Sequence, residues 1–392
     1  KKGKWRDWKK VIFKIRWLKK ISGIFKFLLI ETEPEFKLYI SPINYDPKKP
    51  LFNISYPSDY SKNLAENIGL FYTQGMPMAT WPVNENILPQ DLFIEQVNEI
   101  LTEKSAMYRL ELNKFQNGLL FCYFESPDII QHMFWNYIDP EHPLYEKNSK
   151  YKNIIYDWYK KMDDILGMTL KKITKEDTLI VLSDHGFTTF RKVVHINSWL
   201  RKNGYLKLLN PYAKKGKELL MDIDWSKTKA YAVGFGAIYI NQKGREKFGI
   251  VSSGEESLKL KKQLAQELSE WEYNDKKVVN KVYYGSKIFK NGKISDIPDL
   301  FIGLNIGYRA SWQTALGGVA EKTIEDNLKK WSGTHLCDPE LVPGILFCSQ
   351  KLNLDSRLPS LYDITPTVLK RMGVSMENIK KADFDGIPLL RE

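Results

Sequence analysis

The sequence predicts an α/β fold: a mostly parallel central sheet flanked by helices, with a cap or insert that contains strands. Two apolar runs carry this reading. Residues 118–124 (GLLFCYF) and 178–182 (TLIVL) have the length and continuous apolarity of strands covered on both faces. Each run also ends in a polar segment holding a carboxylate and a histidine, and functional groups of open α/β sheets collect just beyond the carboxyl ends of strands.

In chain order, the amino-terminal stretch is rich in Lys, Arg, Trp and Phe, a composition that also fits a basic helix lying on a membrane. However, Val11, Phe13, Ile15 and Trp17 alternate with Ile12, Lys14 and Arg16, which is close to a period of two. Ser22-Gly23 reads as a turn, and residues 24–30 and 36–40 give further strands of a small meander. From there to Leu110 the pattern is mainly helical, broken near Gly75 and Pro82, and residues 90–114 form its strongest helical stretch. Between His195 and Phe301, residues 231–241 and 281–289 have strand character, and residues 299–303 look like a return to the central sheet. The resulting division is a cap or insert region at 1–115, a core at 116–200, a second insert at 201–295, and the rest of the core at 296–392.

The chain has five histidines, three of which stand in segments suited to metal ligation. Asp128 and His132 are four apart in a segment where Pro127 suits a first helical turn and Ser126 a cap, so both side chains share one helix face. An isolated pair of this kind is more often an ordinary surface pair. Asp184 and His185 follow the 178–182 run, and Gly186 would let the backbone turn so that both converge on one ion. His335 in Ser332-Gly333-Thr334-His335 would by itself read as a turn or core histidine, but beside the other clusters it supplies a third imidazole. His142 sits in a proline-bounded loop and is expected to be structural or exposed.

In combination these segments resemble the alkaline phosphatase superfamily, in its branch of type I phosphodiesterases, nucleotide pyrophosphatases and predicted phosphohydrolase/phosphomutases. The resemblance rests on Ser126-Pro127-Asp128 through Trp135, on Ser183 to Phe187, on Val194 to Leu200, on Gly333-Thr334-His335 with Asp338 to Gly344, and on Asp363 to Leu369 with Gly373 and Asp385-Gly386. It implies that Asp128, His132 and His335 hold one metal and Asp184 with His185 a second, most readily zinc, with manganese or iron as alternatives. For His195, which lies within the shared pattern, a substrate contact and a structural hydrogen bond both stay open. The family's remaining aspartate and its Ser or Thr nucleophile are not visible. Both are expected upstream of Lys1, so that the chain alone should be weakly active or inactive.

The implied activity is metal-dependent hydrolysis of a phosphodiester or nucleotide-like small molecule through a covalent phospho-enzyme. A phosphomutase of the same superfamily and a non-catalytic metal- or phosphate-binding scaffold are the alternatives. The formal charge of +12 favours anionic ligands only weakly, and no nucleic-acid module accompanies it. Three unevenly spaced cysteines argue against a disulfide framework and lean toward a reducing, cytoplasmic setting. No apolar run reaches the roughly 18 residues that span a bilayer.

Overall fold

The computed structural model describes residues 2–15, 19–289, 297–354 and 357–390. The amino-terminal alternation produces strands: Lys9–Ile15 pairs antiparallel with Lys19–Phe25, and Phe27–Glu31 with Lys37–Ile40. Among the described residues of that stretch there is no helix, and Arg16 and Trp17 lie outside the described residues. Among the described residues no helix is long and apolar enough to cross a membrane.

The helical stretch read from periodicity is the helix Gln90–Lys114. Its buried Phe93, Val97, Ile100 and Leu101 recur at helical spacing and pack with Ile129, Ile130, Met133 and Phe134 of the helix Ser126–Phe134. Trp158 of the helix Ile154–Leu170 joins this core and donates its indole N–H to Ser126 Oγ at 3.0 Å. Ser126 is therefore the first helical residue rather than the cap, which is Glu125.

A second core surrounds the antiparallel sheet of Ala230–Val233, Ala237–Ile240, Leu300–Leu304 and Val279–Tyr284, covered by the helix Glu255–Ser269. Between the cores runs the strand Thr188–Val194. Gly307–Ala310 pairs with it in parallel, and Ile324–Asp326 and Gly333–Thr334 pair with it antiparallel. The class is α/β, but the pairing differs from the expected mostly parallel sheet: this is the one parallel pair of strands among the described residues. One reason lies in residues 119–125, which form no strand. Leu119, Phe121 and Tyr123 are 62%, 77% and 56% exposed, alternating with partly buried neighbours, whereas a buried strand would cover both sets. The other expected strand appears as Ile180–Leu182, paired antiparallel with Leu346–Cys348.

The carboxyl-terminal signature forms a clamp. Asp363 accepts from Arg357 and from the backbone N–H of Ser360 and Ile387.

Candidate metal centre

Three segments are bound to one another before any ion is considered. The helix Ser126–Phe134 presents Asp128 and His132 on one face, as the four-residue spacing requires. Its His132 carbonyl accepts from Ser332 N–H at 2.6 Å, and His132 Nδ1 lies 2.7 Å from the Gly333 carbonyl. The Asp184-His185-Gly186 turn is strapped to the segment after His335: Gly186 N–H donates to Val342 O at 2.8 Å and Ser183 Oγ accepts from Ile345 N–H at 2.9 Å. Two glycines allow this closeness. A Cβ on Gly186 would lie 2.5 Å from Pro343 O, and one on Gly333 would lie 2.7 Å from Phe187 Cε1 and against the Gln131 carbonyl. Gly186 does not have a positive φ, so what it supplies is room for the opposite chain rather than a sharp turn.

The result is a centre built on Asp128 Oδ1. His132 Nε2 lies 3.5 Å from it, His335 Nε2 3.6 Å and His185 Nε2 3.8 Å. Asp184 Oδ2 stands 3.5 Å from His185 Nε2, with its side chain 64% exposed toward solvent. The ligand atoms of Asp128, His185 and His335 all fall within 4.8 Å of one another. The His185 and His335 rings stack at 3.6 Å and 8°, whereas His132 meets His335 at 5.2 Å and 52°. The five residues singled out by sequence thus come together, but the closest threefold grouping takes Asp128, His185 and His335.

The donor chemistry fits a divalent cation. Asp128 Oδ1 is buried and has no hydrogen-bond partner, a costly state for a carboxylate oxygen that a cation would relieve. His132 Nδ1 and His185 Nδ1 each face a backbone carbonyl, at 2.7 Å and 2.8 Å. That contact fixes the proton on Nδ1 and leaves the Nε2 lone pair directed at the cluster. Burial drives His132 far below its ordinary range, helped by the charges of His335, Arg309 and His185, against the Gly333 hydrogen bond. Burial likewise takes His335 down to about 4, with His185 and Arg309 acting in the same sense. Asp128 is pushed up to about 6 by burial, with His185 opposing and Asp184 adding to the rise. A bound cation would reverse that balance and hold the carboxylate ionised.

Several residues here belong to the motifs or flank them without a role assigned from sequence. Trp331 stacks on His132 at 3.9 Å and 26°, and Phe187 meets its edge at 4.7 Å. Together they shield the imidazole from water. Tyr123 is raised above its ordinary range by burial first, then by the charges of Asp128, Asp184 and Glu125.

His195 stands elsewhere. It follows the last residue of Thr188–Val194, roughly 20 Å along the strand from the end that carries His185. There it caps the helix Ile196–Lys202, with Nε2 3.0 Å from Glu325 Oε1. His142 is buried in its loop, where Nε2 lies 2.9 Å from the Phe190 carbonyl and Nδ1 accepts from Leu144 N–H.

The model of one protein family, type I phosphodiesterase / nucleotide pyrophosphatase, matches residues 52–323. That span includes Asp128, His132, Asp184 and His185 and ends before His335. No curated protein and no solved structure matches the chain.

Proposed function

The chain belongs to the type I phosphodiesterase / nucleotide pyrophosphatase family, of the alkaline phosphatase superfamily, and on that premise we propose that it is the metal-binding body of a phosphodiester hydrolase. The observation that carries the reading is the convergence of three imidazole Nε2 atoms on the unpartnered Asp128 Oδ1. Asp128, His132 and His335 would hold one divalent ion and Asp184 with His185 a second, most suitably zinc. When bound, the ions supply neutralisation of the phosphoryl oxygens and activation of an oxygen nucleophile.

The chain's own residues prepare the site. The Gly333 and Gly186 carbonyls orient His132 and His185, and Trp331 and Phe187 keep water from the His132 ring. Asp184, at the exposed rim, meets the substrate side first.

The test is hydrolysis of bis(p-nitrophenyl) phosphate by the full-length protein. Activity should vanish with a chelator, return with zinc or manganese, and fall by orders of magnitude in His132→Ala and Asp184→Ala. Turnover that survives the chelator and both substitutions would overturn the reading.

A further inference from the structure

Arg309 is 1% exposed and among the largest fully buried side chains, yet its Nε and Nη1 have no hydrogen-bond partner. Other sheltered cations of the chain behave differently. Lys26 is paired with Glu99, Arg191 with Asp139, and Arg245 with Asp299 and Glu246. What surrounds Arg309 is aromatic: its guanidinium carbon lies 5.3 Å from the Phe190 ring centre, 4.9 Å from that of Phe235 and 4.7 Å from that of Trp312. Ring faces attract the cation, each by about 0.5–2 kcal/mol, but they do not replace a carboxylate for the N–H donors at the guanidinium edge. A buried guanidinium with an empty edge is an incomplete ion pair, and its planar fork matches an oxyanion.

The cage has a mouth. Phe235 and Trp312 are 37% and 58% exposed and meet edge to face at 5.0 Å and 82°. Phe235 sits at the tip of the hairpin Ala230–Val233/Ala237–Ile240, between Gly234 at φ 80° and Gly236 at φ 129°. Those left-handed glycines allow the tip backbone conformations closed to other residues. Arg309 itself is fixed on Gly307–Ala310, the strand parallel to Thr188–Val194. On that strand Arg309 stands opposite Val193, and its charge acts on both His132 and His335.

We propose that Arg309 is a binding residue for a phosphoryl oxyanion of the substrate, taken at its Nε and Nη1 edge beneath the Phe235–Trp312 ring pair. The phosphoryl identity of the anion rests on the phosphodiester reading above. The site itself rests on the unpaired guanidinium. The ring pair shifts to admit the anion and then offers an apolar wall to whatever the phosphoryl group carries.

Calorimetric titration of the chelator-treated protein with inorganic pyrophosphate, at low ionic strength, tests the site without metal. Binding should weaken by about 10–100-fold in Arg309→Met, the range of charge-assisted hydrogen bonds, and by a smaller factor in Arg309→Lys, which keeps charge but loses the fork. Arg309→Met should unfold at the same or a higher temperature, because a buried unpaired charge is replaced by an apolar chain of similar length. Should that variant fail to fold, Arg309→Lys and Trp312→Ala supply the comparison. Zinc affinity of the parent protein, measured separately, reads the metal-site assignment, so collapse of that reading would show there and not in this titration. Unchanged pyrophosphate affinity in the folded Arg309 variants, or no binding by the unsubstituted protein, overturns the proposal.

Discussion

The two ends of the strand Thr188–Val194 each carry histidine, and the same side chain is prepared for opposite work. At the amino end, His185 faces a backbone carbonyl through Nδ1 and leaves Nε2 free toward Asp128, as His132 does from the neighbouring helix. At the carboxyl end, His195 uses Nε2 on Glu325, and its Nδ1 is buried without a partner. Which nitrogen is tied, and to what, separates a ligand from a strut. A carbonyl on Nδ1 orients and leaves a lone pair outward, whereas a carboxylate on Nε2 consumes the outward nitrogen.

The largest break of this comparison is Asp128→Ala. Zinc affinity measured by calorimetry should fall at least about 100-fold, because the carboxylate at the meeting point of three imidazoles is lost, while His195→Ala should bind zinc like the parent. Equal losses in both variants would erase the distinction between the two ends. Next comes Gly333→Ala, whose Cβ would press on Phe187 and the Gln131 carbonyl where the helix and strand are stapled. Denaturant unfolding should show a loss of about 1–3 kcal/mol, with weakened zinc binding as His132 shifts. Parent-like stability would mean that the junction is looser than these distances require.

Glu325→Ala should cost about 1 kcal/mol or less, since its carboxylate is half exposed, and should leave zinc affinity unchanged. The smallest effect is one of pH. Burial lowers the His195 proton affinity below its ordinary value, although Glu325 opposes it. The unfolded chain therefore binds the proton more readily, and this residue's contribution to stability is present above its unfolded pKa and declines as pH falls below about 6.5. His195→Asn should flatten that acid slope in unfolding measurements. An unchanged slope would assign the acid sensitivity to other groups.

How far these features could be read beforehand depends on whether they are local. The helix Gln90–Lys114 and the amino-terminal strands follow from periodicity within their own segments. The Asp128–His132 face follows from helical geometry, and Asp184-His185 from its place after an apolar run. Residues 118–124 look like a buried strand because composition reports apolarity, but whether a neighbour supplies the backbone partners is a tertiary matter. The same limit hid the roles of Trp331, Phe187 and Arg309, which arise from contacts between segments distant in sequence or from a missing partner. Gly186 was legible as important, while its reason, the approach of Pro343, was not.

The central claim is that a divalent ion belongs at Asp128 Oδ1 with its imidazoles. Anomalous diffraction at the zinc edge from zinc-soaked crystals tests this directly. The account predicts a peak within about 2.0–2.2 Å of Asp128 Oδ1 and of at least one Nε2 among His132, His185 and His335. Zinc confined to other surfaces, with Asp128 Oδ1 left unligated at saturating metal, would contradict it.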